Sequence, residues 1–359
     1  MRRVHNFSAG PAALPLAVLE QAKADLPDYH GIGSTILEVS HRGPVFDNVI
    51  EQAKADLREL LGLDEQFEVL FLQGGAQTQF VHVPINLAAR KPGGYVVTGY
   101  WSNLAEREAA KLASTHIIAS TKTDGFTHIP AFDTWTMEQE LAYVHIATNE
   151  TIDGVEFHEL PDLPADLPLI GDMSSTLLSR PIDVNKYGLI YAGAQKNIGP
   201  AGLTLVLVKR ELLKRCDSKL PNMFSYAIQA AKDSMYNTPP TFSIYLAGLV
   251  FKWLLTQGGL TAMAQINQRK AQNLYKCIDA SSLYNNSVAI SARSWMNVPF
   301  TLIDPNLNER FLEQALARDL VGLKGHKSIG GMRASLYNAV APESVDALIA
   351  FMQEFEHKA

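Results

Sequence analysis

Lys196 has the setting best suited to chemistry among the lysines of this chain. It lies in the segment Leu189-Ile-Tyr-Ala-Gly-Ala-Gln-Lys-Asn-Ile-Gly-Pro-Ala-Gly202, where a β-prone run enters a turn rich in glycine and proline. A lysine at such a strand end points into a crowded, partly dry space. Because desolvation disfavours the ammonium form, its amine is a better nucleophile and Schiff-base former than a surface amine. Taken alone, the motif more often describes a strand-end lysine in solvent.

Two other strand ends carry residue types that suit a flat, phosphorylated ligand. The segment Leu70-Phe-Leu-Gln-Gly-Gly-Ala-Gln-Thr-Gln-Phe80 has a glycine pair before a helix start, whose free N–H groups can bind a phosphate. In Thr98-Gly-Tyr-Trp-Ser-Asn103, Trp101 can cover the face of a ring, and Ser102 or Asn103 is the expected helix cap. The ordinary alternatives are a plain strand-to-helix turn and a tryptophan that covers the core.

An acidic residue completes the set one strand before the lysine. Asp172 ends an apolar run and precedes Lys196 by 24 residues, so a carboxylate and an amine can converge over one crevice. Alone, this aspartate is more often a helix N-cap. Together, a phosphate cradle, a stacking aromatic, a carboxylate and a buried lysine match what pyridoxal phosphate requires, because the carboxylate keeps the pyridine nitrogen protonated and the ring acts as an electron sink.

The elements that must position these residues are short apolar strands that alternate with helical patterns. Most of the strands do not alternate in polarity, which is typical of strands buried on both faces. The pattern predicts an α/β fold in which helices cover a mainly parallel, seven-stranded sheet, with an antiparallel pair permitted near its end. The strand candidates are Phe67–Leu72, Tyr95–Thr98, His116–Ala119, Ala142–Ala147, Pro168–Gly171, Leu189–Ala192 and Leu203–Val208. The main helix candidates in this part are Thr78–Ala89 and Asn103–Ala113.

The pattern changes after Pro239-Pro240 and predicts a smaller α+β domain. Long helical stretches cover about 241–257 and 260–279, and they are followed by a strand candidate at Met296–Leu302 and helices near Asn308–Arg318 and Pro342–His357. We therefore expect a large cofactor-binding domain over 16–257 and a small domain formed by 1–15 and 258–359.

Composition limits the classes of partner. The chain has 359 residues and a formal net charge of −6 without a long basic run, which argues against nucleic acid or an anionic membrane as main partner.

Two cysteines, Cys216 and Cys277, are too few for a disulfide framework and indicate a reducing, cytoplasmic compartment. Neither a signal peptide nor a transmembrane helix is expected. No HExxH, CxxC or GxSxG motif occurs, so a metal site and a serine hydrolase are not expected.

Several motifs, spread over the whole chain, resemble those of the phosphoserine aminotransferase family, a class-V branch of the fold-type I pyridoxal-phosphate enzymes. They are Asn6-Phe-Ser8 with Gly10-Pro11, Val39-Ser-His-Arg-Gly43, Ala192-Gly-Ala-Gln-Lys-Asn-Ile-Gly-Pro-Ala-Gly202, Tyr236-Asn-Thr-Pro-Pro-Thr241, Lys324-Gly-His326 and Gly330-Gly-Met-Arg-Ala-Ser335.

The resemblance implies roles in cofactor binding. Lys196 would carry the cofactor and move the proton in catalysis, and Asp172 would pair with the pyridine nitrogen. Trp101 would stack on the ring and Thr151 would lie near its phenolic oxygen. The phosphate would be held by Ala76, Gln77 and Gln195, and by Asn237 and Thr238 of the neighbouring subunit of a homodimer.

The resemblance also implies how anionic substrates are bound. Arg42 and Arg333 would bind carboxylates, for which a guanidinium fork is suited. His41, His326 and Lys327 would meet the substrate phosphate. Three positions depart from the family pattern and bear only on affinity and the details of anion contact: Ala76-Gln77 in the phosphate turn, Lys327 where arginine is common, and Ala9 where some relatives have serine.

The implied reaction is transfer of an amino group from L-glutamate to 3-phosphohydroxypyruvate, giving O-phospho-L-serine and 2-oxoglutarate in serine biosynthesis. The family's second reaction, from 3-hydroxy-2-oxo-4-phosphooxybutanoate to 4-phosphohydroxy-L-threonine in pyridoxine biosynthesis, is also implied. Alternatives are a related enzyme of the same fold, such as a serine–glyoxylate aminotransferase or a cysteine desulfurase-like protein, and a cofactor-binding paralogue or regulator without catalysis.

Overall fold

A seven-stranded sheet forms the centre of the molecule in a computed structural model that describes residues 3–137 and 139–359. The first two residues of the expected small domain therefore lie outside the described residues. The sheet has the order β2-β8-β7-β6-β5-β3-β4. Its strands are β2 (Phe67–Gln73), β3 (Gly93–Val97), β4 (Thr115–Ser120), β5 (Tyr143–Ala147), β6 (Leu169–Asp172), β7 (Leu189–Gly193) and β8 (Leu203–Lys209).

Strand β8 alone runs against its neighbours. It pairs antiparallel with β2 and β7, whereas β7, β6, β5, β3 and β4 pair parallel in that order. The predicted α/β fold, its mainly parallel sheet and the antiparallel pair of Leu189–Ala192 with Leu203–Val208 are confirmed. Because parallel strands end at the same edge, β6 and β7 bring Asp172 and the turn after Gly193 to one side of the sheet.

Helices cover both faces of this sheet, and the strand residues alternate between two apolar cores. On β8, Leu203, Leu205 and Leu207 belong to the core under α1, α2 and α7, whereas Val206 and Val208 belong to the core under α3, α4 and α6. The helices are α1 (Leu16–Asp25), α2 (Pro44–Leu61), α3 (Ala76–Leu87), α4 (Tyr100–Ala109), α5 (Arg210–Leu213), α6 (Tyr226–Ala231) and α7 (Thr241–Thr256).

A separate apolar core includes residues from both the first and the last part of the chain. Phe7 packs there with residues of a three-stranded antiparallel sheet and of three helices. The elements are β1 (His5–Asn6), α8 (Gly259–Asp279), β9 (Tyr284–Asn285), β10 (Asn297–Leu302), α9 (Asn308–Leu316), β11 (Leu320–Val321), β12 (Met332–Ser335) and α10 (Pro342–Lys358). Helix α8 contributes Met263 to the core of the large sheet and Leu274 to this second core. The expected domain division near residue 257 stays a prediction.

The expected starts of two helices were wrong. Helix α4 begins at Tyr100 with Gly99 as its N-cap, so Ser102 lies in the first turn and its hydroxyl accepts from the backbone N–H of Gly99. Helix α3 begins at Ala76 after Gly75. A search of the sequence for Ser, Thr, Asp or Asn as N-cap residues does not find a helix start that a glycine caps. Within the described residues, no helix is long and apolar enough to span a membrane.

Candidate active site

Lys196 lies in the tight turn between β7 and β8, and its side chain points into the protein. Its Nζ donates to the Thr151 hydroxyl at 2.6 Å. Burial lowers the pKa of the amine to about 8, although the charges of Asp172 and Glu150 raise it and that of Arg333 lowers it further. The pKa of the amine therefore lies close to neutral pH, as a nucleophile or a proton acceptor requires.

Asp172 ends β6 beside this lysine and is buried. Its Oδ1 accepts from the backbone N–H of Ser174 at 2.9 Å and from the Ser174 hydroxyl at 2.6 Å. Burial raises the pKa of Asp172, while Ser174, Lys196 and Tyr191 lower it. Behind it, the Tyr191 hydroxyl is 2.8 Å from His145 Nε2, and burial lowers the pKa of that histidine to about 3. Asp172 thus serves as turn cap and as a charge that faces the lysine.

The loop Glu150–Asp153 follows β5 and contacts Lys196, Arg333 and the start of α4. Glu150 Oε2 accepts from the backbone N–H of Trp101 at 2.8 Å, and its Oε1 accepts from the Ser102 N–H at 2.8 Å and the Ser102 hydroxyl at 2.5 Å. Asp153 accepts from the backbone N–H of Tyr100 at 3.0 Å. These two carboxylates satisfy the free N–H groups at the start of α4, where negative charge is favourable.

A cleft of about 360 Å³ opens beside this loop, with cations on its wall. Arg333, on β12, lines the cleft and donates from Nη1 to the Thr151 carbonyl at 3.3 Å. His326 also lines it, and its ring lies 5.6 Å from that of Tyr100. Burial and the charges of Arg333 and Lys327 lower the pKa of His326. Lys196 does not itself line the cleft. Thr151 connects the amine to the cleft, because it contacts both Lys196 and Arg333.

The expected phosphate cradle is formed by a turn at the end of β2. Gly74 has a φ of 106°, which favours glycine, and its N–H donates to the Gly202 carbonyl at 3.1 Å. Ala76 and Gln77 then open α3, so their N–H groups belong to the free donors of a helix N-terminus. Gln195, in the lysine turn, packs against Gly10, where an added Cβ would lie 3.4 Å from the glutamine side chain.

Five of the expected site residues are in exposed or partly exposed segments, and no hydrogen bond, ion pair or ring contact brings them to Lys196 within the described part of this chain. His41 and Arg42 contact each other, with Arg42 Nε 3.2 Å from His41 Nε2, in an exposed turn before α2. The segment of Asn237 and Thr238 is partly exposed, and the Thr238 carbonyl accepts from Gln73 at 2.7 Å. Lys327 is also exposed, beside His326.

The residues that are present fit pyridoxal phosphate. Trp101 Nε1 and Arg333 Nε are buried and have no hydrogen-bond partner within the described residues. Because buried polar atoms are usually satisfied, both indicate a missing ligand. An amine, a carboxylate and a helix N-terminus are the groups that the cofactor's aldehyde, pyridine nitrogen and phosphate require.

Sequence reasoning missed Glu150, Asp153, Tyr191 and His145 as residues that shape this site. Glu150 and Asp153 are in the motif Asn149-Glu-Thr-Ile-Asp-Gly154, where only Thr151 was given a role. An acidic pair in an aperiodic loop after a buried strand is the signal that was available. Tyr191 and His145 had no such signal, because both are in fully buried strands.

Comparisons with known proteins agree over the full length. Residues 4–348 match the family described as aminotransferase class-V. A phosphoserine aminotransferase of Hahella chejuensis is 53% identical over 354 residues, which cover 98% of each chain. The solved phosphoserine aminotransferase of Bacillus circulans subsp. alkalophilus is 44% identical, with a TM-score of 0.97 over 99% of both chains. The pyridoxal-phosphate-bound enzyme of Trichomonas vaginalis is 41% identical, with a TM-score of 0.93 over 98% of this chain and 100% of that one.

Proposed function

Because the chain belongs to the aminotransferase class-V family, we propose that it transfers the amino group of L-glutamate to 3-phosphohydroxypyruvate, giving O-phospho-L-serine and 2-oxoglutarate. Its cofactor is pyridoxal 5'-phosphate. The observation that carries the proposal is the part-buried Lys196 side chain, whose amine donates to Thr151 at 2.6 Å, has a pKa lowered to about 8 and is near the buried carboxylate of Asp172.

The cofactor would be held by residues from five strand ends. Lys196 would bind it covalently, Asp172 would hold its pyridine nitrogen, and Trp101 would cover its ring. Thr151 and Gln195 would contact its oxygens, and the start of α3 at Ala76 and Gln77 would bind its phosphate. When bound, pyridoxal phosphate supplies an electron sink that stabilises the charge left at Cα when a proton departs.

The protein's own part in the reaction is proton transfer and orientation. The Lys196 amine accepts the Cα proton of the amino donor in the first half of the reaction and donates a proton to Cα of the acceptor in the second half. A pKa near working pH favours both transfers. The Thr151 hydroxyl, 2.6 Å away, orients the amine. Asp172 keeps a negative charge beneath the site, supported by its two bonds from Ser174.

Cations in and beside the cleft support anionic substrates. Arg333 is part-buried, and its unpartnered Nε is available to a carboxylate. His326 lines the same cleft, Lys327 follows it in the chain, and both suit a phosphate. Arg42 and its neighbour His41 are in an exposed turn that would complete a second site across a homodimer, as Asn237 and Thr238 would.

The homodimer and a cytoplasmic location are part of the same proposal. The dimer is supported by His41, Arg42, Asn237 and Thr238, which no contact brings to Lys196 within the described part of this chain. The location is supported by the thiols of Cys216 and Cys277, which form no disulfide with each other.

The test is turnover with matched substrates. The purified protein should transaminate 3-phosphohydroxypyruvate with glutamate far faster than the unphosphorylated 3-hydroxy acid, and Lys196→Ala should abolish turnover. Preference for the unphosphorylated acid would favour a serine–glyoxylate type of enzyme, and cofactor binding without turnover would favour a non-catalytic paralogue. The phosphohydroxythreonine reaction stays a prediction, and the four-carbon substrate belongs in the same assay.

A further inference from the structure

Glu150 is a fully buried carboxylate with an unusual position. Both of its oxygens accept hydrogen bonds, and all three donors are at the start of α4, in Trp101 and Ser102. Burial and the neighbouring charge of Asp153 raise the pKa of Glu150 to about 8, and the three donors lower it. A polar carboxyl group is therefore held in a costly, dry place, where it contacts the residue that carries the stacking indole.

The geometry points to a role for Glu150 in the site: we propose that it is a positioning residue, which holds the Trp101 indole against the cofactor ring by binding the Trp101 backbone. This inference rests on the proposed function. It concerns a residue that does not itself touch the substrate or the cofactor.

Trp101 has few polar restraints. Its Nε1 has no hydrogen-bond partner within the described residues, and its ring contacts Tyr100 edge-on at 5.2 Å. The half-buried side chain packs at the edge of the apolar core under α3, α4 and α6. Because apolar packing is not directional, the direction of the indole also depends on the backbone of the first turn of α4, which Glu150 binds.

Gly99 shows how closely the carboxylates fit this turn. A Cβ at Gly99 would overlap the Glu150 carboxyl group and Asp153 Oδ2. The φ of Gly99 is 178°, an extended conformation open to any residue, so close packing against the two carboxylates explains the glycine. Gly99→Ala can therefore displace Glu150 without removing its charge.

The test is a double-mutant cycle on cofactor retention in the loaded, full-length protein. The rate of pyridoxal phosphate loss is measured by absorbance for the wild type, Glu150→Gln, Trp101→Ala and the double variant. Glu150→Gln should accelerate loss about 10-fold in the wild-type background, as the loss of buried hydrogen bonds does, and less than about 3-fold in the Trp101→Ala background, where there is no ring to position. An equal factor in both backgrounds would overturn the proposal, because Glu150 would then act independently of the indole.

A matched control is available in Glu156, also a buried glutamate that accepts from a tryptophan backbone N–H, that of Trp295 at 2.8 Å. Glu156→Gln should leave the rate of cofactor loss within about 2-fold of the wild type, a factor inside the usual range of mutational effects. If Glu150→Gln does not fold, Gly99→Ala and Ser102→Ala are measured instead, and unchanged rates in both would reject the proposal.

The same data separate the two proposals. If the wild type does not retain pyridoxal phosphate, the proposed function fails. If Trp101→Ala accelerates cofactor loss but Glu150→Gln, Gly99→Ala and Ser102→Ala do not, the positioning role alone fails.

Discussion

The amine of Lys196 lies among charges that shift its pKa in opposite directions. Burial dominates and lowers its pKa, Asp172 and Glu150 raise that pKa, and Arg333 lowers it. The balance leaves an amine that changes protonation near working pH. Below about 8 the folded protein holds it as ammonium, and above about 8 as the neutral nucleophile.

We predict that this amine reacts at lower pH than an ordinary lysine. In protein freed of cofactor, acylation of Lys196, measured by mass spectrometry of the digested chain, should be half-maximal at a pH of about 8. Asp172→Asn should move the midpoint lower, because it removes a charge that raises the pKa. A midpoint near 10.5 in the wild type would show that the amine is solvated.

Part of the site could be predicted residue by residue because strand ends are visible in a sequence. Lys196, Asp172 and Trp101 each follow an apolar run, and the structure places each at the end of β7, β6 or β3. Glu150 could not be predicted in this way. It contacts Trp101 across 49 residues, and only the pairing of β5 beside β3 brings the two together.

Among the elements, the strands were predicted better than the helices. Buried parallel strands are continuous apolar runs, so all seven strands of the large sheet could be located. Helices α1 and α2 were not predicted. Helix α4 begins earlier than expected because the carboxylates of a distant loop satisfy its first N–H groups, which the local sequence does not reveal.

Helix α8 provides a stability prediction at the scale of elements. Lys270 is buried there and donates to the carbonyls of Leu336, Tyr337 and Val340, each at 2.9 Å. Lys270→Met leaves these buried acceptors without their donor and should lower the free energy of unfolding by roughly 2–4 kcal/mol. Urea denaturation measures the loss.

The control for this prediction is on the same helix. Lys276 is exposed, so Lys276→Met should change the free energy of unfolding by less than about 0.5 kcal/mol. Equal effects of the two substitutions would contradict the role given to Lys270. The turn that Lys270 binds also includes Asn338, whose N–H donates to Asn197 beside Lys196 at 3.0 Å, so Lys270→Met should also reduce turnover.

For the whole molecule, the proposed shared sites predict complementation between two inactive variants. In a mixture of Lys196→Ala and Asn237→Ala chains, half of the dimers are mixed, and each has one site with both residues intact. Reassembly of the mixture should recover about a quarter of wild-type turnover, provided that each variant alone is inactive. No recovery in dimers shown by labelling to be mixed would place Asn237 in the same subunit's site as Lys196, or in neither.

The pairing of β1 with β11 has a consequence for how the molecule is made. His5 pairs with Leu320 and Asn6 with Val321, and Phe7 is buried in the second core. This segment must therefore stay unpaired until residues more than 300 positions later have been synthesised. At typical rates of synthesis this delay is roughly 15 to 60 seconds, during which the large sheet can fold while β1 and the apolar Phe7 stay open to chaperones.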